Sequence, residues 1–440
     1  MSARGKRYLI YFIGFVFSVT LLFPEIGIDE KKAIPKPFEI SPKRLGRWEV
    51  AGVVYNPLLD AYVVFFADKT KYKEHIVYSR VYNSKGKPIT SLQVVLENTA
   101  GFNFSIAYNE KQNKIFIVWT EEKYPIYKLY GMFLNFRGRP ISKKVMITER
   151  PKEVEVLSGI KINWIPDKNW YALGWGGKKA RTEIFYYYLV VLNSKLQKVV
   201  KPTLVNQFYR WKINISYSLS AFVALQDKLL WGSVENRTAK WLSPVVWFTD
   251  FYGNILPASS ADTGGMIYPG KKVKGGGTVY ACYNPSKDLV YLTWTKSNSW
   301  YRPDQTYREN YFRIMDGQGN FKTKAKKLPK KDNFQLGSRI IYNSVEDRFF
   351  ITYVEFKSYY KEWRLKKERL WGLYVNNKGK LQKHDMGKSR AFPLTKVTEP
   401  NLELFFYSGL AYNREDNEFF IAYELALDWS TRKIWGLIYK

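Results

Sequence analysis

The 440-residue chain has few of the side chains from which disulfides, metal sites and catalytic triads are built. Its single cysteine, Cys282, excludes a disulfide framework and any cysteine-based zinc or iron–sulfur site. Its two histidines, His75 and His384, leave little room for histidine-based metal or triad chemistry. The sequence contains no HExxH, P-loop, GxSxG or EF-hand pattern. We therefore expect no cofactor and no bound metal.

Acidic residues are also scarce, since 39 of them stand against 70 basic residues and leave a net charge of +31. A field of that sign attracts polyanions such as acidic glycans, anionic envelope polymers and lipid headgroups. No nucleic-acid-binding motif accompanies the charge, so a dedicated DNA or RNA role is not expected. The alternative is that the lysines are scattered on turns for solubility.

The N-terminus has the pattern of an export signal. Arg4, Lys6 and Arg7 precede an uncharged run from Tyr8 to Phe23. No small-x-small cleavage site follows, and Cys282 lies too far along the chain for a lipoprotein anchor. Two outcomes stay open for residues 1–24, a cleaved signal peptide or a membrane anchor that spans with residues 8–23.

Either outcome places the rest of the chain outside the cytoplasm, secreted or held at the membrane by its N-terminus. Residues 25–35 then form a linker. Three sequons, at Asn103, Asn214 and Asn236, become accessible to glycosylation if the host has the machinery.

One pattern recurs along the rest of the chain. Its five clearest copies carry Tyr-Asn after an apolar run, with another aromatic residue eleven positions after the tyrosine. The seven predicted anchors and their aromatic partners are Tyr55 and Phe66, Tyr108 and Trp119, Trp164 and Trp175, Ser220 and Trp231, Tyr283 and Trp294, Tyr342 and Tyr353, and Tyr412 and Tyr423. Short apolar runs separated by polar or glycine turns, without a helical period, predict four antiparallel strands per copy. The sequence therefore predicts an all-β fold, a seven-bladed β-propeller over residues 36–440.

The chain ends predict how the ring closes. The last copy stops at Lys440, after its third strand, whereas Lys36–Ser41 resembles a fourth strand that precedes the first copy. We expect this N-terminal strand to complete the last blade, because the pairing removes an open sheet edge. A two-domain β-sandwich protein is the alternative, but it does not explain seven copies in phase.

The copies read Ala-Tyr-Asn, then Phe-Ile-Val-Trp, then a glycine turn. In this they resemble a propeller repeat of exported bacterial and archaeal proteins of undefined function. The resemblance implies the fold and a location outside the cytoplasm. It implies no activity, because propellers host many functions.

Departures from the repeat indicate where binding occurs. The loops of the fifth, sixth and seventh copies are long and combine Trp, Tyr and Arg, a composition typical of recognition surfaces. The predicted binding residues are Trp300, Tyr301, Arg302, Tyr359, Tyr360, Trp363, Arg364, Trp429 and Arg432. The alternative is a set of surface loops with tucked aromatic side chains.

The leading interpretation is a non-enzymatic platform at the cell envelope that binds an anionic polymer, a glycan or a partner protein. The alternative is a carbohydrate-active enzyme, either a glycoside hydrolase or a polysaccharide lyase. It requires carboxylates from several blades to converge on one pocket. The candidate acids at the ends of second strands are Asp68, Glu121, Glu122, Glu235, Glu355 and Glu424. A repeated acid can instead bind its own hairpin or a neighbouring base.

Overall fold

A computed structural model of the protein confirms the seven-bladed β-propeller, with antiparallel four-stranded blades. It describes residues 34–42, 48–68, 75–99, 104–123, 126–149, 156–178, 184–209, 219–238, 241–262, 265–270, 276–297, 308–329, 334–358, 365–383, 390–396, 403–426 and 431–440. Within these ranges no helix is long and apolar enough to cross a membrane. The predicted signal or anchor lies outside the described residues.

The first three blades are regular antiparallel meanders. Blade 1 contains β2 (Trp48–Asn56), β3 (Ala61–Asp68), β4 (His75–Asn83) and β5 (Gln93–Thr99). Blade 2 contains β6 (Phe104–Asn109), β7 (Lys114–Lys123), β8 (Ile126–Asn135) and β9 (Val145–Glu149). Blade 3 contains β10 (Val156–Ile165), β11 (Trp170–Lys178), β12 (Ile184–Asn193) and β13 (Lys198–Tyr209).

The next three blades have shorter outer strands. Blade 4 contains β14 (Ala221–Ala224), β15 (Leu229–Thr238), β16 (Trp241–Thr249) and β17 (Ile255–Leu256). Blade 5 contains β18 (Gly276–Asn284), β19 (Leu289–Ser297), β20 (Arg308–Asp316) and β21 (Lys326–Lys327). Blade 6 contains β22 (Phe334–Asn343), β23 (Arg348–Ser358), β24 (Leu365–Asn376) and β25 (Ala391–Pro393). A single parallel pair, Arg308 with Phe334, links blades 5 and 6 into one sheet.

Blade 7 closes the ring with strands from both ends of the chain, as the sequence predicts. It contains β26 (Glu403–Asn413), β27 (Glu418–Ala426), β28 (Arg432–Tyr439) and β1 (Phe38–Glu39). Phe38 pairs with Gly436, whose missing side chain leaves room for the phenyl ring; a Cβ there would lie 2.7 Å from Phe38. The Ile40 amide donates to the Ile434 carbonyl at 2.8 Å, and the Ile40 side chain is fully buried.

The first strand of each blade forms the inner ring of the propeller. Each of these strands, β2, β6, β10, β14, β18, β22 and β26, contacts the first strands of both neighbouring blades. Second and third strands lie farther out and carry the apolar and aromatic side chains that fill the space between blades. This burial of apolar surface stabilises the ring.

The fourth copy lies three residues later than the sequence predicts. Val223 pairs with Leu230 and takes the place of the expected anchor Ser220, so Val234 takes the place expected for Trp231. Trp231 instead lies eight residues after the anchor, a position filled by Tyr291 in blade 5. The prediction was wrong because blade 4 has neither Tyr nor Asn at its anchor. The predicted anchor, Ser220, depends instead on Trp231, which lies eleven residues after it.

Candidate functional site

Eight of the nine predicted binding residues lie outside the described part of the chain: Trp300, Tyr301, Arg302, Tyr359, Tyr360, Trp363, Arg364 and Trp429. Arg432 is described, and it begins β28 with only 7% of its surface exposed. Its Nη1 lies 3.5 Å from Glu424 Oε2 on β27. The Arg432 guanidinium is therefore built into blade 7, while a role of the whole set in binding stays a prediction.

The candidate acids whose contacts are described pair within their own blades. Glu121 accepts a hydrogen bond from Trp119 Nε1 at 3.2 Å and forms an ion pair with Lys144 at 3.0 Å. Glu424 faces Arg432 of the neighbouring strand. For these two acids the contacts match the alternative in which a repeated carboxylate binds its own blade.

The other acids give a partial picture. Glu355 is buried. The pKa of Tyr353 in the same strand is raised, first by the burial of that tyrosine and then by the negative charge of Glu355. Asp68 is also buried, at the end of β3. Side chains of Glu122 and Glu235 lie outside the described residues. Among the described residues, no group of three acid, histidine or cysteine side chains is arranged to hold a metal ion.

The repeated Tyr-Asn has a structural role at the face that carries the turns between first and second strands. In blade 6, Asn343 Oδ1 accepts from the Glu346 amide at 2.9 Å and so caps its own turn. Its Nδ2 donates to Asn417 Oδ1 in blade 7 at 2.8 Å. The same bond between blades runs from Asn56 to Asn113, Asn109 to Asn169, Asn284 to Asp347 and Asn413 to Asp60. All five donor asparagines are fully buried, so they link blades and are not a surface for ligands.

The acceptor in each link is an Asn or Asp that lies five residues after the anchor. These acceptors adopt left-handed backbone angles, with φ between 46° at Asp60 and 53° at Asn417, which Asn and Asp tolerate better than other side chains. Their oxygens also accept from the anchor of their own blade, as from Tyr342 to Asp347 at 2.8 Å. Burial raises the pKa of Asp347, but hydrogen bonds from Lys287, Asn377 and Tyr342 outweigh it and lower that pKa to about 2.

Exposed basic residues recur at the turns between third and fourth strands, and an asparagine caps each of these turns in blades 1 and 6. In blade 1, Asn83 Oδ1 accepts from the amides of Lys85 and Lys87 at 3.0 and 2.9 Å, which fixes the turn. In blade 6, Asn376 caps Lys378 and Lys380 in the same way. We call the exposed bases of these turns in blades 1, 2, 3 and 6 the basic arc: Lys85, Lys87, Arg137, Arg139, Lys195, Lys378 and Lys380.

The basic arc is continuous across blade 7 and absent from blades 4 and 5. Blade 7 has the start of β1 and the end of β28 in place of this turn, and both Lys36 and Lys440 are exposed there, with Lys440 Nζ 3.0 Å from Glu418 Oε2. The corresponding positions are Tyr252 and Asn254 in blade 4, and Gln318 and Asn320 in blade 5. Sequence reasoning missed this arc, although the recurring Asn-x-Lys/Arg-Gly-Lys/Arg motif was visible.

Comparisons with solved structures find likenesses with TM-scores below 0.5. The alpha-L-arabinanase of Penicillium chrysogenum, complexed with arabinobiose, has a TM-score of 0.48 at 9% identity, over 76% of this chain and 92% of that chain. The GH93 alpha-L-arabinofuranosidase of Fusarium graminearum has a TM-score of 0.47 at 9% identity, with the same coverage. Hydrazine synthase of Kuenenia stuttgartiensis has a TM-score of 0.40 at 11% identity, over 73% and 80%. No protein-family model and no curated protein matches the chain.

Proposed function

We propose that this propeller is an exported or membrane-anchored, non-enzymatic platform that binds an anionic polymer of the cell envelope through the basic arc. The observation that carries the proposal is the continuous row of exposed bases across blades 6, 7, 1, 2 and 3. Lysine and arginine on neighbouring blades present charge at regular intervals, which suits a polymer with repeating acidic groups. Arginine adds two-pronged contacts to carboxylate or sulfate groups.

Overall charge supports this proposal. If every acidic residue paired with one base, 70 − 39 = 31 bases would still have no carboxylate of their own. An acidic polymer supplies the missing counter-charge. Binding of this kind weakens as salt screens the charges, because the Debye length falls from about 10 Å at 0.1 M to about 3 Å at 1 M.

A variant of the basic arc tests the proposal. Lys85, Lys87, Arg137 and Arg139 are replaced by Gln, and retention on polygalacturonate and dextran sulfate is measured at low and high salt. The matched control replaces Lys143, Lys201, Lys324 and Lys383, which are exposed bases outside the arc, so that both variants lose four charges. The wild type and the control should be retained at low salt, and the arc variant should elute early.

Equal elution of the two variants would show that net charge alone acts and would overturn the arc. The same incubations also address the enzymatic alternative. Release of new reducing ends or unsaturated uronic acids from polygalacturonate would overturn the non-enzymatic part of the proposal. N-terminal sequencing of the protein isolated from cells distinguishes a cleaved signal from a retained anchor.

A further inference from the structure

One level of the inner ring differs in chemistry from the rest. It lies three residues before the anchor of each blade, and strand pairing places its members in register, as with Lys161 opposite Gly174 and Arg339 opposite Thr352. We call this the throat level, and its residues in blade order are Gly52, Ser105, Lys161, Ser220, Tyr280, Arg339 and Gly409. The blade 4 member follows from the corrected anchor Val223.

The throat level has a small side and a basic side. Gly409, Gly52 and Ser105 come from the consecutive blades 7, 1 and 2, so that side carries almost no side-chain volume. Lys161 in blade 3 and Arg339 in blade 6 are its only charged members, and two blades separate them. Two cations at one level of an inner ring have a cost, because like charges repel.

Arg339 is held by its neighbour. Its guanidinium lies over the ring of Tyr280 in blade 5, at 4.0 Å from the ring centroid, which is a close cation–π contact. Stacking uses the face of the guanidinium and directs its N–H donors along the plane, where Nη1 donates to the Ser338 carbonyl at 3.4 Å. The orientation of this cation is therefore set by the fold.

Lys161 experiences the charge of Arg339. Burial, and then the positive charge of Arg339, lower the pKa of Lys161 to about 8. Lys128 shows the opposite behaviour, because its ion pair with Glu149 raises its pKa. Within the described part of the chain, no carboxylate forms an ion pair with Lys161 that would compensate its burial. An anion placed near both cations would supply that compensation.

We propose that the throat level is a binding site for an oxyanion group, a carboxylate or a sulfate or phosphate, held between Lys161 and Arg339. Charge-assisted hydrogen bonds from an ammonium and a guanidinium are among the strongest polar contacts in proteins. Gly409, Gly52 and Ser105 of blades 7, 1 and 2 add no further charge at this level. This site lies inside the ring and is separate from the basic arc on its rim.

Isothermal titration of the full chain at pH 8 tests the site, with sulfate as the first probe because sulfate itself does not titrate there. Chloride at equal ionic strength is the blank. Each titration is repeated in two buffers of different ionisation enthalpy, which reveals proton uptake. A bound anion raises the pKa of Lys161, so wild-type binding should take up as much as about half a proton per site.

Variants locate the binding. Lys161→Met should abolish proton uptake and weaken sulfate affinity about tenfold or more, and Arg339→Met should weaken affinity to a similar degree. Lys143→Met removes an exposed lysine and should behave as the wild type. Glucuronate in place of sulfate identifies the ligand class, since binding of glucuronate alone assigns the site to carboxylates.

Two results would overturn the site: no saturable binding of either anion, or binding that survives unchanged in both throat variants. The basic-arc variant tests whether the throat site is independent of the polymer-binding surface of the proposed function. If it loses the polymer but keeps sulfate binding with proton uptake, the two sites are independent. If the wild type binds polymer but no small anion, the throat proposal fails and the platform remains.

Discussion

Blades 5 and 6 are joined by a buried polar link, whereas blades 3 and 4 are joined by aromatic packing. Asn284 donates to Asp347 and Asn377 of blade 6 at 2.9 and 3.0 Å. In blade 3 the matching residue is Ile165, which is buried in the apolar cluster between blades 3 and 4.

The aromatic join is compact. Tyr187 of blade 3 meets Trp247 edge-on, with ring centroids 5.2 Å apart, and Trp231 stacks on Trp247 at 5.9 Å. The hydroxyls of Tyr187 and Ser233 share a hydrogen bond of 2.5 Å. All three rings are fully buried. Blades 5 and 6 also pack aromatic rings, with Tyr291 and Phe349 4.0 Å apart between centroids, so the asparagine link adds to a filled apolar interface. The comparison shows that the apolar filling is common to both joins and that the polar link is the part that blades 3 and 4 do without.

The aromatic join should be the more sensitive to truncation. Trp247→Ala removes a fully buried indole and should lower the free energy of unfolding by about 3–5 kcal/mol. Urea denaturation followed by far-UV circular dichroism measures the change. Trp247→Phe keeps most of the volume and serves as the control. A loss below about 1 kcal/mol would mean that the rings contribute little to this join.

The polar join should respond less, through lost hydrogen bonds. Asn343→Ala removes the equivalent link between blades 6 and 7, with its hydrogen bonds to Asn417, Tyr412 and the Glu346 amide, and should cost about 1–3 kcal/mol. Chemical denaturation again reports the change, and Asn193→Ala, at an exposed turn that does not bridge blades, is the comparison. Equal costs for the two variants would contradict a special role of the link between blades.

Lys161 in blade 3 should destabilise the free protein at neutral pH. Its pKa is lowered from 10.5 to about 8 on folding, so the unfolded chain binds more protons between those values and stability rises with pH across that window. Lys161→Met should therefore raise the free energy of unfolding by about 1–2 kcal/mol at pH 7 and flatten its rise above pH 8. A pH series of urea midpoints checks both effects. A less stable variant with an unchanged pH slope would show that Lys161 is compensated in the native ring.

The smallest expected effect concerns a backbone irregularity, also in blade 3. Leu196 has φ of 63°, where glycine stands at the matching turn positions of the other described blades, such as Gly86 and Gly138. Leu196→Asn should stabilise by less than about 1 kcal/mol, because Asn tolerates this conformation and the leucine packs only in part against the core. Thermal unfolding measures the shift, with Lys195→Asn as the control. A clear loss of stability would show that the leucine contact outweighs the strain.

Blades 1, 2, 5, 6 and 7 could be predicted from the sequence, because each carries Tyr-Asn and an aromatic residue eleven positions later. The asparagine links each of these blades to the next one, so it recurs at a fixed place in the copy. Blade 4 resisted prediction at the level of register, since Val223 and Ala224 replace Tyr and Asn there. Closure by Phe38–Glu39 was predictable, because the last copy lacks a fourth strand and the segment before the first copy resembles one.

The candidate sites were harder to predict. Lys161 and Arg339 lie 178 positions apart, and each is a single departure at a position that no motif marks. Both lie three residues before a predicted anchor, and the pairing of each inner strand with its second strand places that offset at one level of the ring. The basic arc was overlooked for a different reason, because lysines at turns are common and their alignment around a ring is a property of the closed fold.

The closing strand also orders events during synthesis. Phe38 and Gly436 are 398 positions apart, so their pairing is among the most non-local contacts that this chain makes. Contacts of such high order form slowly, and the blades made first must wait until β28 has been synthesised before the ring closes. Until then Phe38 and Ile40 have no partner strand, and blade 1 lacks the neighbour that finally covers it. A nascent chain of this kind is therefore most exposed to aggregation immediately before its last strand is released.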